Sequence, residues 1–212
     1  MKNLPELSAM DLGALLCSRV CHDIISPVGA IANGLELLDE GSDAETQEIA
    51  MDLIRSSATN ASARLQFARI AFGAAGSAGS DIDTGDAENV ARGYFANEKK
   101  TDLEWNGQRA YLPKNKVKLL LNLLLVAMSA IPRGGQVTSK MDDPMGDVKF
   151  EVTASGKAAR LPPLFMALLA GDHEEALDAH AVQPFYTLKL AEAAGMDVTA
   201  TLEGEDIVLR AS

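Results

Sequence analysis

The chain has 212 residues, enough for one large domain or two small ones, with 47% apolar residues and a formal charge of −11 from 19 basic and 30 acidic side chains. With no basic run to neutralise phosphates, that balance excludes nucleic acid as a partner. Charge-free stretches such as 24–35 and 119–132 fall short of the roughly 18 to 20 apolar residues that span a bilayer, and Met1-Lys2-Asn3-Leu4-Pro5 lacks a signal peptide's apolar core. A soluble protein of the cytoplasm, with no membrane partner, is expected.

Ser8 precedes Asp11 by three residues and Ser42 precedes Glu45 likewise, so each pair starts a helix in the manner of a capping box. Two helices follow, over about 8–40 and 43–72, turning at Gly41, each roughly 45 to 50 Å long. They form an αα-hairpin. The stretch 73–80, rich in glycine, alanine and serine, has the composition of a flexible linker and divides the chain into residues 1–75 and 76–212. Beyond it the pattern predicts helices near 87–96, 113–131, 162–170 and 184–194. Strands are predicted near 101–106, 136–141 and 148–154, with a closing hairpin of 198–202 and 207–210 around Gly204. The fold class is α+β: a helical hairpin followed by an α/β sandwich with helices on one face of a mixed sheet.

On a helical wheel of the first helix, Leu12, Leu16, Val20, Ile24, Val28, Ile31, Leu35 and Leu38 gather in one stripe roughly 160° wide. His22 falls opposite its centre, among Ser18, Ser26, Gly29 and Asn33. A solvent-facing imidazole in a clearing of small side chains lets another protein approach the ring. Its reference pKa of about 6.5 leaves a large unprotonated, nucleophilic fraction near neutrality. Such a group can take a phosphoryl group directly, while a partner supplies Mg²⁺ and the acceptor carboxylate. Arg19, Asp23, Ser26 and Gly29 are the residues expected to touch that partner.

Pro27 removes the backbone bond to Asp23, so a kink is expected just after the histidine. Cys17 and Cys21, four apart on one helix, are ill placed for a disulfide. With His22 they lack a complete metal-ligand set, and core-lining thiols are expected instead. His173 and His180 fall in the second half without matching carboxylates, which sets aside a metal-dependent phosphohydrolase. One hairpin cannot bury its own stripes. On the second helix Ile49, Leu53, Ser57, Ala61, Leu65, Ala68 and Phe72 form a narrower one, so two hairpins are expected to pack as a four-helix bundle in a homodimer.

The segment Val20-Cys21-His22-Asp23-Ile24-Ile25-Ser26-Pro27 resembles the phosphoacceptor box of sensor histidine kinases, with looser agreement through Ile31, Gly34, Leu35, Glu36, Leu37 and Leu38. Over essentially its whole length the chain resembles the ChpT family of alphaproteobacterial histidine phosphotransferases. That resemblance implies a dimerising phosphotransfer hairpin followed by a domain similar to the kinase ATP-binding (Bergerat-type) fold. It further implies a hybrid kinase like CckA upstream, and response regulators like CtrA and CpdR downstream, in control of the cell cycle. Asp23 either orients and polarises the ring, as the kinase likeness suggests, or is structural.

Set against the kinase nucleotide boxes, Asn122-Leu123-Leu124-Leu125-Val126-Ala127 keeps the first asparagine and has valine at the metal-binding second. Ala154-Ser155-Gly156-Lys157-Ala158 lacks the adenine-binding aspartate and the second glycine. Gln183-Pro184-Phe185-Tyr186-Thr187 has none of the glycines that let backbone amides approach a triphosphate. The expected protein is therefore a histidine phosphotransferase that carries no cofactor and uses no ATP. An active histidine kinase and a non-catalytic docking adaptor for receiver domains are the alternatives.

Overall fold

The computed structural model describes residues 4–41, 43–73, 81–172 and 177–212. It contains two long helices, α1 (Ala9–Asp39) and α2 (Ala44–Ala71), followed by β1 (Asp81–Asp83), α3 (Thr84–Phe95), β2 (Thr101–Asn106) and β3 (Tyr111–Pro113). The chain then runs through α4 (Lys114–Ala130), β4 (Gly135–Asp142), β5 (Lys149–Ser155), α5 (Pro163–Ala170), α6 (Val182–Ala194), β6 (Val198–Glu203) and β7 (Asp206–Ala211). The expected division at 75/76 lies outside the described residues.

Ser8 caps α1, its hydroxyl accepting from the Asp11 N–H at 3.1 Å. The Asp11 carboxylate turns back to that hydroxyl (2.6 Å), so the capping box is closed between side chains. The start of α2 differs from expectation: Asp43 is its cap, accepting from the Thr46 N–H at 2.9 Å, and Ser42 lies outside the described residues. A carboxylate that accepts from the first turn also meets the positive end of the helix dipole. α1 continues unbroken through the buried Pro27. Its close approach to α2 is set by Gly34, where a Cβ would meet Ile54 Cγ1 at 2.6 Å and the Ala50 carbonyl at 3.2 Å.

The five-stranded sheet has the order β2-β4-β5-β7-β6, with β2 parallel to β4 and every other pairing antiparallel. The short pair β1-β3, not foreseen, forms a separate antiparallel ribbon. α4 is buried nearly all round its circumference from Val117 to Ala127, because the sheet, α2, α3 and α6 all pack on it. That explains why its sequence is apolar without a clear stripe. The turn into β4 needs glycine: Gly134 has φ +89°, and a Cβ there would lie 2.1 Å from the Lys100 carbonyl.

Asp83 caps α3 through the Gly85 N–H (2.8 Å) and pairs with Arg109. Hydrogen bonding from Arg109, and then from the Gly85 amide, holds its carboxyl below the usual carboxylate range. A lowered folded-state pKa gives stability that is present above the unfolded value of about 3.9 and is lost as pH falls through the folded one. Asp83→Asn is therefore expected to lower Tm at pH 7, with the gap to wild type closing below about pH 4. Thermal melts across pH 2 to 7 check this, and a gap that stays constant would refute it.

The candidate functional site around His22

His22 stands on the exposed side of α1 with 64% of its side chain accessible. Asp23, on the next residue, is held half-buried: its Oδ2 accepts from Arg19 Nε at 3.0 Å, one helical turn back, and its Oδ1 lies 3.5 Å from His22 Nδ1. Behind Asp23 a small cavity is lined by Val20, Ile24, Arg64, Phe67 and Tyr94. Arg64 is fixed there by Glu98 (2.6 Å) and by the Tyr94 hydroxyl (3.3 Å), tying α2 to α3. Burial pushes the Tyr94 phenol up, so it stays neutral while its oxygen accepts from Arg64. The carboxylate beside the imidazole is thus anchored from behind by Arg19 and is not free to swing.

Ser26 and Gly29, one and two turns on, are exposed, and a Cβ at Gly29 would meet nothing within 4 Å. Arg19 is half-buried and engaged by Asp23, so its guanidinium orients Asp23. Cys17 and Cys21 are both exposed, contrary to the expectation of core thiols. They lie on an arc of α1 turned away from α2, together with Met10, Ile25, Val28 and Leu35, which are also exposed. The single stripe on the wheel is thus divided. Leu12, Leu16, Val20, Ile31 and Leu38 are half-buried, whereas Val28 and Leu35 face outward. By length and composition α1 could also cross a membrane, and only 6% of its most apolar window is buried.

The clearing around His22 is not empty. His180, from the turn before α6, brings its ring to 5.6 Å from that of His22, edge to face at 76°. The sequence places His180 in the second half and gives no sign of this contact. The packing of α6 on α1 brings the rings together, and no sequence spacing encodes that. His173 lies outside the described residues.

The retained asparagine of the kinase-like box is committed inside the protein. Asn122 is fully buried, and its amide donates to the Ala71 carbonyl at the end of α2 (3.1 Å) and to the Lys118 carbonyl (2.9 Å). Gln183 Nε2 reaches the Asn122 carbonyl (3.1 Å) and the Thr187 hydroxyl (3.0 Å), where the kinase pattern has its phosphate loop. Gly156 survives for packing: a Cβ there would sit 2.4 Å from the Gly134 carbonyl. A cavity of about 350 Å³ lies between α1, α4 and α6, lined by Arg19, Leu125, Arg160, Phe165, His180 and Gln183 among others. Among the described residues no group of three or more His, Cys, Asp or Glu side chains is placed to hold a metal ion.

A long hairpin presenting an imidazole beside an anchored carboxylate, joined to an α/β domain, defines the class: a protein phosphotransferase. The family model for the histidine phosphotransferase C-terminal domain matches residues 84–206. Protein phosphotransferase ChpT of Brucella abortus (strain 2308) is 62% identical over 206 residues, covering 97% of each chain. A solved bacterial phosphotransferase superposes with a TM-score of 0.92 at 58% identity, covering 99% of this chain and 100% of that one. The Acinetobacter baumannii histidine kinase AdeS is similar at 10% identity, over 90% and 95% of the two chains, with a TM-score of 0.45. The chain belongs to the histidine phosphotransferase family.

Proposed function

We propose that His22 is the phosphoryl carrier of a phosphorelay, taking the group from the receiver aspartate of a hybrid histidine kinase and passing it to the receivers of response regulators. The observation that carries this reading is the exposed His22 ring with a fixed carboxylate at its Nδ1. A carboxylate there favours the tautomer with the proton on Nδ1, leaving the Nε2 lone pair free for attack. In the forward step the P–O bond to the receiver carboxylate breaks and a P–N bond to Nε2 forms. The aspartate leaves as carboxylate, and the acidified Nδ1 proton is shared with Asp23 Oδ1. The reverse step returns it.

Arg19 orients Asp23, while Ser26 and Gly29 form the open surface on which a receiver rests. Mg²⁺ comes with the receiver, where it neutralises the transferring group. ATP has no part. The residues of the kinase-like boxes do not fit a triphosphate, because Asn122 has spent both amide hydrogens inside the core and Gln183 and Pro184 stand in place of glycines. The family likeness suggests a CckA-like kinase upstream and CtrA-like and CpdR-like regulators downstream, all in the cytoplasm. The exposed apolar arc of α1 supports a homodimer in which two hairpins form a four-helix bundle, each copy carrying one His22.

The test is incubation of the full chain with a phosphorylated receiver domain in the absence of ATP. Label is expected on wild type, and His22→Gln is expected to fall to background. Label on both proteins, or on neither, would sink the assignment. Self-labelling of His22 from ATP alone would favour an active kinase. Intact downstream signalling by His22→Gln would favour a docking adaptor.

A further inference from the structure

We infer that His180 is a positioning residue for phosphoryl transfer at His22, its imidazolium form offsetting the charge of the phosphoryl group from across the domain junction. The inference rests on His22 being the acceptor, as proposed above.

His180 is not a loosely hung surface side chain. Its backbone N–H and that of Ala181 both donate to Asp178 Oδ1 at 2.8 Å, closing the turn that opens α6. These two amides hold the Asp178 carboxyl below its ordinary range, so it stays an anion across neutral pH. α6 itself is locked to α4 by Gln183, which bonds Asn122 and Thr187 in the buried core. The ring therefore reaches His22 from a fixed base.

The charges around the pair show what the ring is needed for. From α1 come Arg19, Asp23 and His22; from the connection between β5 and α5 comes Arg160, lining the same cavity; from His180's own turn comes Asp178. Among the described residues two guanidiniums and two carboxylates stand near the pair, so with both imidazoles neutral these groups carry no net charge. A phosphoryl dianion on His22, with the Nδ1 proton kept between His22 and Asp23, leaves that balance one charge negative. Arg19 is already bound to Asp23. Of the described groups here, His180 is the one whose side chain gains a positive charge by binding a proton without leaving its place. At a ring separation of 5.6 Å it lies in the range, about 4 to 6 Å, over which a charge alters a neighbour's protonation.

Linkage fixes the sign. If phosphorylated His22 favours protonated His180, transfer onto His22 takes up as much as one proton, and its equilibrium constant rises as pH falls, at most about tenfold per pH unit. The decisive experiment uses the full chain with an isolated receiver domain charged by acetyl phosphate, without ATP, and reads the equilibrium division of label between receiver and this protein from pH 6 to 8.5. His180→Gln is expected to hold several-fold less label than wild type at pH 6.5 and the same amount at pH 8.5. His180→Lys should restore the high level and flatten its pH dependence relative to wild type. A wild-type to His180→Gln ratio that is one throughout, or that is displaced equally at every pH, overturns the inference, since a purely structural role moves all pH values together. Label that persists on His22→Gln, or fails to reach wild type, instead removes the acceptor assignment on which it rests. Circular dichroism of each variant separates these results from loss of fold.

Discussion

Val28→Glu combined with Leu35→Glu is expected to dissociate the proposed dimer into monomers at micromolar concentration, by light scattering, while each chain keeps its helical signal. The two side chains are 49% exposed each, one heptad apart on α1, in line with Ile25 (72%) and Met10 (85%). Ile49 and Leu65 on α2 are likewise exposed, at 61% and 50%. A run of apolar side chains at this spacing is the seam of a helical bundle, and left bare it is a patch that seeks a partner. A second hairpin has the matching length and the same seam, so an isologous pair covers both at once. A two-fold axis makes every substitution count twice, so the double variant places four carboxylates in the seam. Each costs several kcal/mol to desolvate without a counter-charge. Neither position contributes to the buried core, so the melting of the second domain should be unaffected. A wild-type chain that is monomeric, or one that sediments with lipid vesicles through the same face, would overturn the dimer.

How far the site could be read from sequence depended on the range of the interactions involved. The helix limits of the hairpin follow from local chemistry, and Ser8 and Gly41 act where their residue types predict. Asp43 took the capping role expected of Ser42 because two good caps stand side by side and a single-residue shift lies beyond what composition resolves. The exposure of His22 was legible for the same reason, since a wheel needs only periodicity. The expectation for Cys17 and Cys21 erred because the burial habit of free cysteine says nothing of which arc of a helix the rest of the chain covers. The ribbon of β1 and β3 went unseen, as each strand has three residues and draws its pairing from a partner far along the chain. His180 was out of reach altogether. Its place beside His22 follows from how α6 packs on α1, and nothing near either histidine announces the other.

Asn122 carries the remaining large effect, because its residue type was retained while its surroundings changed. In the kinase pattern an asparagine at this point of the helix belongs to the nucleotide site. Here it has no exposure, gives its amide hydrogens to the carbonyls of Ala71 and Lys118, and receives Gln183 Nε2 at its own Oδ1 (3.3 Å). Replacing it with leucine, close in size, strips a bond from the last turn of α2 and leaves Gln183 short of an acceptor in a dry interior. Orphaned buried groups cost about 1–3 kcal/mol each, so a loss of about 2–4 kcal/mol is expected. For a domain of this size that corresponds to a Tm lower by about 5 to 12 °C. Below the melting range, phosphoryl transfer to His22 per folded molecule should be unchanged, because the asparagine touches neither the imidazole nor its carboxylate. The opposite result, full stability with transfer lost, would mean that the asparagine still serves a ligand. Unchanged transfer with a lowered Tm would mark Asn122 as the tie that holds the end of α2 against α4, a structural role apart from the site around His22.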